Sequence, residues 1–456
     1  MMLPLVILFP LIGAILLAFS RRLNAKNAGR IAGLFVLMPL FVARPHGEWS
    51  LPWMPDAGIA LRFSMDGLSY LFVPLVALVT VASICVSILK GKGDRGYFAL
   101  ILVLQSALFG VFTARHFIPW FLCWEMTLIP AWLLIRLWGG PGAPKAALRF
   151  FIMTLGGSAF MLVGFLALQL SVGTMDFDAL GKLASQGALA GGLAKAFAFT
   201  GMSGHTLLTI VALAVFLGLA VKIPIVPFHA WLPAAYAEAP TPVTMLLTGL
   251  LSKMGVYAML RIFLPVFPEV LPSLAPLLSW LAVATVLLGA VAALAQTDLK
   301  RMLAYSSVNH LGYCVLAITA VAASQTDRAA MSSALSGVVL QAFNHGIIAS
   351  ALFSGIAILE TRSRGQRGLN DFGGLRAQTP VFCGMFGIAV FASLGLPGLS
   401  GFIGEFLIFN GAFALTPAAA AVSVIGLLLT AAMLGAVIIA LREKSGQGRG
   451  GDAGTK

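Results

Sequence analysis

Residues 241–263 read TPVTMLLTGLLSKMGVYAMLRIF. The hydrocarbon core of a bilayer takes about 20 apolar residues as one helix, and this stretch supplies that length while carrying Lys253 near its middle. A charged side chain at that depth costs at least about 2.5–3.5 kcal/mol and faces the bundle interior or water. Lys253 is too deep to snorkel to the interface. One segment therefore sets both the fold class and the chemical question: a membrane helix that keeps an ionisable group where lipid penalises it.

The pattern recurs along the chain. Of the 456 residues, 59% are hydrophobic and only 10% charged, where a soluble protein carries roughly 25% charged residues. Candidate spans centre on 2–19, 28–43, 67–89, 97–114, 117–138, 150–170, 206–224, 241–263, 276–296, 302–322, 334–359, 380–413 (interrupted) and 417–441. This predicts an all-α polytopic membrane helix bundle of about 13 transmembrane helices. Residues 1–90 form an N-terminal set of helices, 97–263 and 276–441 two halves, and 442–456 a polar, glycine-rich, disordered cytoplasmic tail. Residues 172–205 read as an outer loop with one surface helix.

The net charge of +13 invites a nucleic-acid reading, but the basic residues sit in short segments between spans, as the positive-inside rule places them. If the N-terminus faces the periplasm, 20 of the 29 Lys and Arg fall on inner segments, seven on outer ones, and Lys222 and Lys253 lie within the membrane. The expected location is a bacterial inner membrane, with the C-terminus cytoplasmic. Met1–Ser20 has no positive leading region, and Arg21, Arg22, Lys26 and Arg30 follow it, so it reads as a retained helix and not as a signal peptide.

Besides Lys253, five residues mark chemistry. Glu125 lies within WFLCWEMTLIPAWLLIRLWGG, and Lys222 ends LAVFLGLAVKIPIVPFHAWLP, where Pro224 and Pro227 break the helix. Broken helices with freed carbonyls often form ion sites in transporters; the alternative for Lys222 is a lysine snorkelling beside a kink. His229 reads as facing the inner surface. Glu405 follows a second break, GLPGLSGFIGEF, and two breaks, one per half, suggest two inverted units of related design. His310 (AYSSVNHLGYCVL) and His345 (VVLQAFNHGIIASALF) lie in apolar spans and can relay protons near neutral pH. Ser306, Ser307, Asn309, Gln341 and Asn344 flank them as possible water holders. No nucleophile, phosphate or dinucleotide motif is present. Cys85, Cys123, Cys314 and Cys383 form no CxxC pair, so neither cofactor nor metal is expected.

Seven strings occur in order: WEMTLIPAWLLIRLWGG, KIPIVPFHAWLPAAYAEAPTPV, LLSKMGVYAMLRIFLPVFPE, QTDLKRMLAYSSVNHLGY, LQAFNHG, DFGGL and SLGLPGLSGFIGEFLI. Together they resemble the antiporter-like subunits of respiratory complex I, also found in multisubunit cation/proton antiporters and membrane-bound hydrogenases, and most closely the M (chain 4) type. The resemblance implies two inverted five-helix repeats, each with a broken helix. It makes Glu125 a fifth-helix glutamate paired with Lys222 on the broken seventh helix, and Lys253 the central lysine of the eighth. His310 and His345 become linking histidines, and Glu405 the twelfth-helix group at the exit or hand-over. Glutamate at that last position is the M-type choice. The family has fourteen spans, so the last is expected to be missing here.

These readings converge on a proton-translocating subunit of an NADH-quinone oxidoreductase assembly. It would be embedded among other membrane subunits, including neighbouring antiporter-like ones, with no redox chemistry in this chain. The alternatives are a Na⁺(K⁺)/H⁺ antiporter subunit, or a subunit of a hydrogenase or inorganic-carbon uptake complex.

Overall fold

A computed structural model of the chain describes residues 3–20, 22–324 and 327–442, with side chains except those of Ala57 and 436–442. The predicted tail beyond Arg442 lies outside the described residues. Among them, 11 helices are long and apolar enough to cross a membrane, and three shorter apolar helices are Leu3–Phe19, Pro380–Ser393 and Ser400–Leu415. Every expected span finds its helix. The twelfth is made of the last two short pieces, broken at 394–399, as the glycines and prolines of that stretch require.

The seventh span is broken in the same way. Gly204–Lys222 stops, an irregular turn with a short 3₁₀ segment follows, and Leu232–Glu238 resumes the helix. Trp231 Nε1 donates to the Val221 carbonyl at 2.9 Å, so one carbonyl freed by the break stays satisfied inside the membrane. Counting from Arg95–Thr113 and again from Leu271–Leu294, the broken helix is the fourth of five in each half. Five is odd, so the second half starts from the opposite side of the bilayer, which is how the two units come to be inverted.

Two features lie outside the expected fold. Gly47–Met54 and Ile59–Met65 pair as an antiparallel hairpin, concealed in the sequence by prolines at 52 and 55 that argue against strands. The stretch 172–205 holds two short helices, Phe177–Ser185 and Ala188–Ala196, in place of one.

Charges collect at both ends of the bundle. At one end Asp66 caps the third span by accepting from the Ser69 amide at 2.9 Å, and pairs with Arg261 at 2.6 Å and Arg115 at 2.9 Å. Arg62 of the hairpin pairs with Asp176 at 2.7 Å. Burial pushes the Asp66 carboxyl up, but the Ser69 amide and the two arginines outweigh it and hold the group well below the usual carboxylate range. The third span, Gly67–Leu89, has 23 residues and so extends about 34 Å. At its far end Lys90 pairs with Glu360 at 2.8 Å. The outer-segment arginines Arg62, Arg115 and Arg261 thus share one end, and the inner-segment Lys90, Lys300 and Arg367 share the other.

Candidate functional site

The eighth span, Thr241–Val266, is almost wholly buried. Its helix widens into π turns at Leu247–Leu251 and Met259–Phe263, on both sides of Ser252–Ala258. π turns are rare and concentrate at functional sites, because they take carbonyls out of the regular ladder. The Thr248 carbonyl accepts from the Lys253 ammonium at 2.5 Å and from the Ser252 hydroxyl at 3.1 Å.

Lys253 is fully buried. Its Nζ also meets Ser252 Oγ at 3.3 Å and His345 Nδ1 at 2.7 Å. An ammonium has three protons to donate, and these three acceptors satisfy them without any carboxylate. If the proton moves to His345, the amine keeps two donors and turns its lone pair to the imidazolium. The same heavy-atom positions serve both states, as a transfer step needs.

The eighth and eleventh spans meet here because both lack side chains at the crossing. A Cβ on Gly346 would lie 2.9 Å from the Gly249 carbonyl oxygen and 3.0 Å from Leu75. Gly249 follows Thr248 and Gly346 follows His345, so this close approach is what puts imidazole against amine.

The path continues through His310, whose ring centroid lies 5.2 Å from that of His345. His310 Nδ1 faces the Ser306 carbonyl at 2.7 Å, and Nε2 faces the Ser393 carbonyl at 3.3 Å and Glu405 Oε1 at 3.5 Å. Ser393 is the last residue before the twelfth-span break, so the break presents the partial negative charge of a helix C-terminus to the imidazole. With oxygen at both nitrogens, the pocket accepts a ring carrying both protons or a ring sharing one with Glu405.

Glu405 is buried with its two oxygens in different surroundings. Oε1 accepts from the Tyr313 hydroxyl at 2.6 Å, and Gln341 Nε2 donates to the Tyr313 oxygen at 2.9 Å and to Oε1 at 3.4 Å. Oε2 fills the space beside Gly395 in the break, where a Cβ would overlap it. Gly395 has φ +65°, a conformation glycine adopts without steric cost. One oxygen faces the buried path and the other the broken segment.

Glu125 and Lys222 stand apart from this string. Lys222 is buried at the C-terminal end of its helix, where the helix dipole favours a cation. Its Nζ lies 5.2 Å from the Trp124 ring centroid and 3.4 Å from Thr127 Oγ1. Glu125 is within electrostatic reach of Lys222, but the two make no direct ion pair among the described residues; Trp124, one residue before it, and Thr127, two after, make the contacts. Of the flanking polar residues, Ser306 and Gln341 join the path and Ser307 meets Thr248 Oγ1 at 3.2 Å. Asn309 donates instead to Val286 O and Asn344 to Ser400 O, tying spans together. His229 is partly buried beside Tyr305, with ring centroids 6.4 Å apart.

Three residues escaped sequence reasoning. Tyr313 reads as a packing aromatic in an apolar helix, and only its contact with Glu405 reveals more. Lys300 and Arg115 were counted among loop cations, yet are only 1% and 4% exposed. Lys300 donates to the Ala239 carbonyl at 2.6 Å.

A polytopic bundle with two broken helices and a string of buried titratable groups has the architecture of an ion-translocating membrane protein. The family described as NADH:quinone oxidoreductase/Mrp antiporter, TM, matches residues 114–430, and the chain belongs to it. It is 33% identical to NADH-quinone oxidoreductase subunit M of Rickettsia bellii over 404 residues, 88% of this chain and 76% of that one. It is 38% identical to an NAD(P)H-quinone oxidoreductase chain 4 of Picosynechococcus over 363 residues, covering 79% of this chain and 61% of that one. Among solved structures, a chain of respiratory complex I from Thermus thermophilus with bound NADH superposes with a TM-score of 0.83 at 29% identity, over 98% of this chain and 90% of that one. A chain of the Mrp complex from Dietzia shares the fold, with a TM-score of 0.81 at 24% identity, over 96% of this chain and 47% of that one.

Proposed function

We propose that this chain is a proton-translocating membrane subunit of an NADH-quinone oxidoreductase assembly. The observation that carries the reading is the string Lys253–His345–His310–Glu405, in which each group faces the next inside a buried core. A proton leaves the Lys253 ammonium for His345, crosses to His310 through water between the rings, and reaches Glu405 Oε1. It departs from Oε2 at the twelfth-span break. Glu125 sets the charge state of Lys222, which in turn biases Lys253 by like-charge repulsion. The names of the relatives and of the Thermus complex support other membrane subunits as partners, antiporter-like ones among them. They also support NADH:quinone oxidoreductase as the activity of the whole complex, driven by redox chemistry elsewhere in it. The excess of Lys and Arg at the Lys90 end supports a cytoplasmic location for that end and for the C-terminus, in a bacterial inner membrane.

The test is Lys253→Arg in the assembled complex. Arginine keeps charge and most of the volume but does not deprotonate in proteins. Proton pumping into vesicles at equal complex content should stop, as it should for Lys253→Ala. Parental pumping by the arginine variant would show that Lys253 does not titrate and would remove the centre of the mechanism.

A further inference from the structure

The string above starts at Lys253 without a supply. At the Lys90 end of the bundle lies a cavity of about 480 Å³, bordered by Lys90, Thr241, Lys300, Glu360 and Arg367. Arg367 has its own carboxylate, Asp298 at 2.5 Å, and Glu238 turns to the Gly142 amide at 3.0 Å. Lys90 and Lys300 are left with Glu360, and its Oε2 already accepts from Lys90 at 2.8 Å and from Thr241 Oγ1 at 2.5 Å. The Lys300 amine, only 1% exposed, has the neutral Ala239 carbonyl. The amines of Lys90 and Lys300, with Lys92 also at the cavity wall, therefore have one carboxylate between them, and the Lys300 ammonium has no direct ion pair among the described residues.

From Glu360 a row of hydroxyls leads inward along the eighth span: Thr241, Thr244, Thr248 and Ser252. Their spacing of three, four and four residues keeps them on one helix face, and all are at most 2% exposed. The first touches Glu360 and the last touches Lys253. Two further hydroxyls border the row. Ser307 meets Thr248, and the buried Tyr236 hydroxyl faces Thr248 and Ser252 without closing a hydrogen bond to either. Thr244 and Ser252 donate to the Tyr236 and Thr248 carbonyls at 2.9 and 3.1 Å, which leaves the oxygen of each free to accept.

We infer that the Lys300–Glu360 pair is the proton intake of this subunit and that the hydroxyl row carries the proton from it to Lys253. The inference rests on the proposed function, whose string it supplies. A cavity water gives a proton to the Lys300 amine, and the hydroxide left behind is replenished from bulk solvent. Glu360, which bonds Lys90 and Thr241 and acts on Lys300 through its charge alone, neutralises the mouth, and cavity water carries the proton from the Lys300 ammonium to Thr241. Residues three or four apart on a helix stand about 5–6 Å apart, so water between successive hydroxyls accepts and releases the proton in turn, until the neutral Lys253 amine accepts one. Only O–H and N–H bonds form and break.

The experiment uses the assembled complex in vesicles, with Lys300→Arg, Lys300→Gln and Thr248→Val beside Lys253→Arg. Pumping at equal complex content should fall at least tenfold in Lys300→Arg, which keeps the charge but cannot release it, and similarly in Lys300→Gln. Thr248→Val preserves shape and removes one hydroxyl; it should slow pumping at least threefold and raise the solvent deuterium isotope effect, a readout that a packing defect leaves unchanged. If Lys253→Arg stops pumping while both Lys300 variants and Thr248→Val match the parent, the intake is elsewhere and the proposed function survives. If Lys253→Arg pumps normally, the proposed function itself fails. Should the Lys300 variants not assemble, Thr248→Val decides alone: a parental rate and isotope effect would overturn the inference.

Discussion

The hydroxyl of Tyr313 donates to Glu405 Oε1 at 2.6 Å, the same oxygen that His310 Nε2 approaches to 3.5 Å. Two donors from one span thus compete for a single acceptor, so a proton arriving from His310 has to displace the tyrosine hydrogen bond or share its oxygen. Tyr313 is in a position to time the hand-over.

Removing the hydroxyl frees Oε1. Tyr313→Phe keeps the ring beside Phe409, with which it packs at a centroid distance of 5.7 Å. A buried hydrogen bond to a charged group is worth roughly 1.5–3 kcal/mol, so pumping should change by about tenfold with assembly intact. The infrared carboxyl band of Glu405 should shift as well. An unchanged band would mean that the hydrogen bond is not present in the working complex.

Gly395 offers an independent check on the exit side. Gly395→Ala places a methyl where Oε2 sits, at a backbone conformation that disfavours any side chain. Pumping should be lost while the neighbouring Gly387→Ala, which meets open space, pumps as the parent does. Equal activity in both variants would show that Oε2 needs no access to the break.

Glu125 and Lys222 interact without a direct ion pair, and their coupling should reflect that. Glu125→Gln and Lys222→Met should each impair pumping, with the double variant no worse than the worse single. Coupling within one network is roughly 0.5–3 kcal/mol, and a complete double-mutant cycle measures it. Fully additive losses would make the two residues independent.

The Asp66 cluster predicts an acid-labile clamp. Its carboxyl is held low in the fold, so it contributes stability above the ordinary carboxylate pKa of about 3.9. That contribution falls away as pH drops further toward the folded-state value. Detergent-solubilised complex should therefore lose thermal stability below about pH 4, and Asp66→Asn should be less stable at neutral pH but lose less on acidification. An identical acid response in both would assign the lability to other carboxylates.

The bundle and its breaks were legible in the sequence because lipid and proline act locally: a run of apolar residues or a GLPG needs no partner to be read. The six path candidates stood out for the same reason, as charges or histidines in apolar surroundings. What stayed hidden was contact between distant segments. Lys253 and His345 are 92 positions apart, and nothing local shows that Gly249 and Gly346 bring them together. Tyr313 carries no local sign of its role, which only its contact with Glu405 shows. Lys300 looked like a loop cation because a hydropathy window places it at a span edge, while the structure folds Ala239 and Glu360 over it. The hairpin at 47–65 went unread because its prolines speak against strands and its pairing is not encoded in a single run.

The two π turns around Lys253 have one more consequence. Each holds an extra residue compared with an α turn. Deleting any one of residues 247–251 would return that turn to regular geometry and leave the span long enough and apolar enough to insert. A π turn takes up its extra residue with little net rotation, so Lys253 and Tyr257 would keep their direction, but the Thr248 carbonyl that now accepts from the Lys253 ammonium would return to the helical ladder. The extra residue before Lys253 is therefore as much a part of the site as the lysine, and a chain that kept every polar residue but lost one leucine here would insert normally and leave the ammonium one acceptor short.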